Sequence, residues 1–156
     1  MKHTLKCLLS LSMLALPLSA QALLASCTVA ATGITFPAYV SPGGGNADAT
    51  GNSAVTCSGL GLLVNYTITL SAGNGTFASR SLVFATVNIL SYNMFTDTGR
   101  TTIWGDGSAG TSTVSDSYLL SLGNTTRNYT VYGRVPGGQN KRAGTYTDTV
   151  TMTITF

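Results

Sequence analysis

Residues 146–156 read Tyr-Thr-Asp-Thr-Val-Thr-Met-Thr-Ile-Thr-Phe, and from Val150 onward every second side chain is apolar. In an extended chain, Tyr146, Val150, Met152, Ile154 and Phe156 point to one side, and the intervening threonines point to the other. A segment with one apolar and one polar face is typical of a strand that covers a core on one side and meets water on the other. The sequence therefore predicts a strand over 146–156.

The same alternation recurs upstream, and turn-forming residues separate the repeats. Alternating segments occupy 64–71, 90–94 and 129–135. Shorter strands are predicted at 27–36, 54–57, 81–85 and 117–122. Breaks rich in Gly, Asn and Pro lie at 42–46, 72–75, 105–110, 123–124 and 136–139. Seven to eight short strands with these breaks predict an all-β fold, an immunoglobulin-like antiparallel β-sandwich in one domain over 23–156.

The first 22 residues have the features of a signal peptide. Lys2 and Lys6 precede an apolar run over 8–18, and Ala20-Gln21-Ala22 is a small-x-small cleavage site. The apolar run is shorter than the roughly 20 residues that a membrane-spanning helix needs. We therefore expect export, with the mature chain beginning near Leu23 and no later segment crossing a membrane.

The cysteines fit an oxidising compartment. Cys7 would leave with the signal peptide, and Cys27 and Cys57 would remain as a candidate disulfide pair. An alternative is that Leu24-Ala25-Ser26-Cys27 is a lipoprotein cleavage box, which would acylate Cys27 and leave Cys57 unpaired. The polar residues 19–21 between the apolar run and this box favour the disulfide.

The composition argues against catalysis and nucleic-acid binding. The chain has no Glu, five Asp and a single histidine, His3, inside the predicted signal peptide. Without His3, Ser-His-Asp and Cys-His catalysis and the commonest metal ligand are missing from the mature chain. Loss of Lys2 and Lys6 lowers the formal net charge from +3 to about +1, and the arginines form no basic stripe. We expect no enzyme activity and no cofactor.

Trp104, with the loop tyrosines as alternatives, is the aromatic residue that could indicate a ligand. It lies beside the Gly105-Asp106-Gly107 turn. A loop tryptophan either stacks on a sugar or packs over the end of a sandwich. Trp104 is therefore a candidate ligand contact, and a small carbohydrate-binding module is one function to consider.

An ordered set of short motifs runs through residues 27–148. The motifs are Cys27-Thr-Val, Ile34-Thr-Phe-Pro-Ala-Tyr39, Val55-Thr-Cys57, Arg80, Tyr92-Asn-Met-Phe95 before Thr96-Asp97, Trp104-Gly-Asp-Gly107, Tyr132-Gly-Arg-Val-Pro136 with Gln139, and Gly144-Thr-Tyr-Thr-Asp148. This set resembles the spore coat protein U domain, which is shared with subunits of archaic (Csu-type) chaperone–usher pili. Pro37 is a departure, since it stands where the family usually has Gly.

The resemblance implies a sandwich that lacks its last strand. In such pilins a periplasmic chaperone supplies a strand, an usher assembles the fibre, and a neighbouring subunit later replaces the chaperone's strand. Val150, Met152, Ile154 and Phe156 would then line one side of a donor-strand groove. The alternative is that these four are ordinary core residues of a complete sandwich.

The predicted cleavage site limits what the chain could donate in return. Only residues 23–26 would precede Cys27, whereas a donor strand needs roughly ten residues with alternating apolar side chains. We therefore expect a subunit that accepts a strand and does not donate one. This suits the tip of a pilus, or a free-standing secreted coat protein.

Overall fold

The computed structural model describes residues 25–59, 63–120 and 123–156, so the predicted signal peptide lies outside the described residues. The described residues form eight strands and no helix, which confirms the all-β prediction. No helix in this part of the chain could span a membrane. The strands are β1 (Ser26–Thr32), β2 (Ala47–Gly59), β3 (Leu63–Leu70), β4 (Arg80–Phe84), β5 (Asn88–Phe95), β6 (Val114–Leu119), β7 (Gly123–Val135) and β8 (Met152–Thr155).

The strands form two sheets. A five-stranded sheet has the order β1-β2-β7-β5-β4, and a three-stranded sheet has the order β6-β3-β8. Every ladder between these strands is antiparallel. The antiparallel arrangement in two sheets is therefore as the sequence predicts, and β1 and β8 are edge strands of different sheets.

The main core lies between the sheets at the end that carries the disulfide. Val55, Ile68 and Trp104 are fully buried in it. Cys27 and Cys57 are direct cross-strand neighbours of β1 and β2 and are joined by a disulfide, as predicted. Because its sulfur is bonded to Cys57, Cys27 has no free thiol for acylation in this structure.

A second, smaller core lies at the opposite end. Its buried members are Ala47, Leu90, Tyr92 and Val135, and Phe36, Tyr39 and Tyr146 pack against it. The buried members of this second core all belong to the five-stranded sheet, and segments outside the strands cover them.

Several strands differ in their bounds from the predictions. β7 begins at Gly123, six residues before the predicted start at 129, so the predicted break at 123–124 is wrong. β1 ends at Thr32 and not at 36, and β6 begins at Val114, three residues before the predicted start at 117.

β2 begins at Ala47, seven residues before the predicted start at 54. The final strand covers only Met152–Thr155 of the predicted 146–156. The preceding segment still runs extended but changes partner: Thr147 and Val83 of β4 exchange main-chain hydrogen bonds of 2.8 and 3.1 Å. The last segment of the chain thus contacts both sheets in turn.

Candidate functional site: a groove between two open strand edges

β1 and β8 lie next to each other but form no ladder within the described residues. β1 pairs with β2 only, and β8 pairs with β3 only. Each strand therefore has one edge whose main-chain groups lack a strand partner. The two open edges face the same gap between the sheets, which we call the edge groove.

The hydrogen-bond alternation shows which main-chain groups of β8 face the edge groove. The Ser71 N–H donates to the Thr151 carbonyl at 2.9 Å, and the ladder continues through Thr153 and Thr155. In an antiparallel pair, alternate residues direct N–H and C=O groups toward the partner and away from it. The main-chain groups of Met152 and Ile154 therefore point toward the edge groove.

Apolar side chains line the same gap. Val150, Met152 and Ile154 are half-buried and pack against the main core, and Val29 of β1 does so from the other side. Phe156, the fourth predicted groove residue, is 57% exposed and lies beyond the last strand pair. Three of the four residues are thus at the groove, partly covered and partly open.

The buried floor beneath Met152 includes a polar side chain. Ser53 of β2 is fully buried, and its hydroxyl donates to the Met152 sulfur at 2.9 Å. Met152 therefore spans the gap and contacts the inner face of the five-stranded sheet.

Past the end of β1, the edge groove continues as a cavity of about 510 Å³. Residues 34–39 form one wall, residues 144–148 form the other, and Leu82, Leu90 and Val135 lie between them. Within the described residues, the main chain of 33–39 forms no hydrogen bond with another main-chain segment. The open edge thus extends along the whole sandwich.

The wall formed by 34–39 is held by aromatic packing. Phe36 packs edge-on against Tyr92, with ring centroids 5.8 Å apart. It also lies on Gly133 of β7, where an added Cβ would come within 2.7 Å of the Phe36 ring. Tyr39 accepts a hydrogen bond from the Gln139 N–H (2.7 Å) and donates one to the Pro136 carbonyl (3.1 Å).

The opposite wall is held by Tyr146 and Asp148. The Tyr146 ring packs against Phe84, with centroids 5.6 Å apart. Asp148 accepts hydrogen bonds from the Tyr92 hydroxyl (2.6 Å) and the Asn74 N–H (2.8 Å). Burial, together with the hydrogen bond to Asp148, raises the pKa of Tyr92, so this tyrosine stays neutral.

Arg80 has a structural role that its place in the motif set did not indicate. It is fully buried, and its guanidinium donates to Asn93 Oδ1 (2.6 Å) and to the carbonyls of Ser71 (2.9 Å) and Trp104 (2.8 Å). Burial lowers the pKa of Arg80, while the nearby Tyr92 and Asp148 raise it. The side chain connects three separate segments of the sandwich.

Trp104 is also fully buried, in the main core, and its indole N–H donates to the Ile68 carbonyl at 3.1 Å. Because neither face of the ring is exposed, a sugar in solution cannot stack on it. The structure therefore gives Trp104 the packing role and offers no support for a ligand contact by this residue.

The comparison with protein families identifies the domain. The model of the Spore Coat Protein U domain matches residues 13–153. The chain belongs to the spore coat protein U family. The match covers both walls of the edge groove, the disulfide and Arg80.

The chain is similar to Protein U of Myxococcus xanthus. The two are 39% identical over 115 residues, which is 69% of this chain and 59% of the relative. The chain thus spans less than two thirds of the length of that protein.

Among solved structures, this chain is similar to a chain of the CsuC–CsuE complex. That structure is a chaperone–tip adhesion subunit pre-assembly complex from archaic chaperone–usher Csu pili of Acinetobacter baumannii. The TM-score is 0.58 at 21% identity, over 85% of this chain and 40% of the other. At that identity the similarity shows a shared fold, and the shared part covers most of the domain.

The acidic residues of this coat protein U domain are engaged in local contacts. Asp48 pairs with Arg134 at 2.7 Å, and this hydrogen bond lowers the pKa of Asp48. The Tyr129 hydroxyl donates to Asp116 at 2.6 Å and likewise lowers the pKa of that carboxyl. Across the described ranges, no three His, Cys, Asp or Glu side chains cluster as metal ligands would. These carboxylates stabilise turns and strand pairs.

Proposed function

We propose that this protein is a non-catalytic structural subunit of a chaperone–usher surface fibre, and that it accepts a donor strand in the edge groove. On this proposal the chain is exported, passes through the periplasm and ends at the cell surface. Its partners are a periplasmic chaperone, an usher and a neighbouring subunit.

The observation that carries the proposal is the pair of adjacent, unpaired edges of β1 and β8 above half-buried apolar side chains. Cα atoms of β1 and β8 approach within 8 Å, whereas two strands that flank a third lie roughly 9.5 Å apart, so an incoming segment would have to move them apart. It would then pair its main chain with both strands and insert alternate side chains toward the core. Such an edge is otherwise prone to uncontrolled pairing between molecules, so a chaperone that covers it would also prevent aggregation.

The family and fold comparisons support the choice of partners. The similar solved structure is a subunit bound to its chaperone, and it covers most of this chain. Because predicted cleavage after Ala22 leaves only residues 23–26 before Cys27, we place this subunit at a position that accepts a strand without donating one, such as a tip.

A second candidate is a free-standing secreted coat protein, which the likeness to Protein U favours. In that case the sandwich would be stable without a donor. The two candidates differ in whether the edge groove must be filled.

A matched pair of substitutions tests donor-strand acceptance. Ile154→Asp places a charge in the edge groove, whereas Thr153→Asp places the same charge on the exposed outer face of β8. We expect co-purification with a candidate periplasmic chaperone to fall at least tenfold for Ile154→Asp, since a buried unpaired charge costs several kcal/mol. Thr153→Asp should bind the chaperone as the unmodified chain does. Equal binding by both variants would refute the groove as the chaperone site.

A further inference from the structure

The edge groove has a basic end. The charge at this end indicates which kind of side chain a donor segment would place there. Beyond the first cavity lies a second one of about 340 Å³. The two share wall residues, including Tyr39, Leu90 and Tyr146, so they are continuous. The second cavity is additionally lined by Lys141 and Arg142.

These two cations have no carboxylate partner among the described residues. The ion pairs in this part of the chain involve Asp48 with Arg100 and Arg134, and neither Lys141 nor Arg142 lies within 4.0 Å of an acid. Lys141 is half-buried, which increases the strength of any charge interaction it makes relative to one in bulk water.

The carboxylate that lines the first cavity is already occupied. Asp148 accepts hydrogen bonds from the N–H groups of Asn74 and Thr149 and from the Tyr92 hydroxyl. These bonds hold its carboxylate beside Tyr92 and Asn74, and neither Lys141 nor Arg142 lies within 4.0 Å of it. The groove is apolar along most of its length and positively charged at the end beside 38–41 and 141–144.

We propose that the donor segment is an extended strand with an acidic side chain at the end that reaches Lys141 and Arg142. This inference rests on the proposed function, because it requires that the edge groove accept a strand. The acid would pair with the two cations, while alternate apolar side chains fill the groove, and its position would fix the direction and register of the donor.

Three synthetic peptides test the charge preference. Each has about twelve residues, which matches the length of a strand along the sandwich, alternates valine with serine, and is capped at both ends. One carries Asp at its first position, one carries Asp at its last position, and one carries Asn at both. Whichever way a donor runs, one of the two acidic peptides places its carboxylate at the basic end.

The chain over 23–156 is refolded with equal concentrations of competing peptides, and the bound peptide is identified by native mass spectrometry. We expect one acidic peptide to be enriched about two- to fivefold over the Asn peptide, the upper part of the range for exposed ion pairs. The enrichment should shrink as salt is raised. It should vanish in the Lys141→Gln/Arg142→Gln variant and persist in Arg127→Gln, which removes an exposed charge outside both cavities.

The outcomes separate the two proposals. Capture of all three peptides without preference, or a preference that survives Lys141→Gln/Arg142→Gln, refutes the acidic donor and leaves strand acceptance intact. If no peptide is captured, strand acceptance and the acidic donor both fail.

Discussion

The Tyr92 hydroxyl donates a 2.6 Å hydrogen bond to Asp148 Oδ2, which joins β5 of the five-stranded sheet to the segment that leads into β8. This contact crosses the sandwich beside the edge groove. Since Asp148 also holds the Asn74 N–H, one carboxylate fixes the wall formed by 144–148 relative to both sheets. The geometry of the groove thus depends on a small polar network in an otherwise apolar region.

Removal of this hydrogen bond should loosen the wall and lower stability. We expect Tyr92→Phe to reduce the free energy of unfolding by about 1–2 kcal/mol, because the carboxylate loses a partner at a buried site. Urea unfolding of the disulfide-bonded chain measures the change. Tyr132→Phe is the control, since its hydroxyl has no hydrogen-bond partner among the described side chains. Equal losses in the two variants would contradict the proposed role of the Tyr92–Asp148 bond.

Arg80 should be one of the least replaceable residues of the fold. Arg80→Met keeps most of the side-chain volume but leaves Asn93 Oδ1 and the carbonyls of Ser71 and Trp104 without this donor. We expect a loss of about 3 kcal/mol or more in the free energy of unfolding, since each unsatisfied buried group costs about 1–3 kcal/mol. Arg127→Met, at an exposed position where the guanidinium stacks on the Tyr118 ring, should change it by at most about 1 kcal/mol. A small effect of Arg80→Met would show that water or local rearrangement replaces the guanidinium.

The disulfide should contribute a large part of the stability. Cys27 and Cys57 are 30 residues apart. Closure of a loop of that size lowers the entropy of the unfolded chain and thereby raises its free energy by about 3–4 kcal/mol. We expect the Cys27→Ser/Cys57→Ser variant to show a matching loss on urea unfolding and a lower periplasmic yield, with Ser58→Ala as the control. Intact-mass analysis of the exported protein provides an independent check. A mass increase from acyl chains on Cys27 would contradict the disulfide.

Below about pH 9, where the tyrosines are still neutral, the pH dependence of stability should appear only in acid. Residues 23–156 contain no histidine, so no side chain of ordinary pKa titrates between about pH 5 and 8. The Tyr129 hydroxyl lowers the pKa of Asp116 below its ordinary 3.8, so the folded state binds this proton more weakly than the unfolded state. The stabilisation is therefore complete above the ordinary pKa and is lost as the pH falls through the lowered one.

Thermal melting at a series of pH values measures this effect. We expect a nearly constant Tm between about pH 5 and 8 and a decline below about pH 4, with a smaller decline in Asp116→Asn. Asp106→Asn is an informative companion, because hydrogen bonds from Ser108 lower the pKa of this exposed carboxyl as well. An unchanged acid decline in both variants would place its origin in other carboxyl groups.

The sequence predicts the fold where one side of a strand is apolar. The alternating segments at 64–71, 90–94 and 129–135 correspond to β3, β5 and β7. The first half of β2 was missed because residues 47–53 are small or polar and show no alternation. Their strand character comes from pairing with β7, which β1 joins on the other side only from Asn52 onward.

The candidate site was predicted in part. Val150, Met152 and Ile154 lie at the groove because their alternation is local and visible in the sequence. The extension of the groove past β1 depends on where residues 34–39 pack, which no local pattern specifies. The position of Arg80 was equally hidden, since its acceptors lie 9, 13 and 24 residues away and no local pattern shows that they converge on it.

The most direct test of strand acceptance is to express residues 23–156 in the periplasm with and without the candidate chaperone. Size-exclusion chromatography and thermal melting then follow the product. If the edge groove needs a donor, the chain alone will aggregate or be degraded, and with the chaperone it will be recovered as a one-to-one complex. A stable monomer that melts cooperatively without any partner would contradict the account and favour a complete, free-standing coat protein.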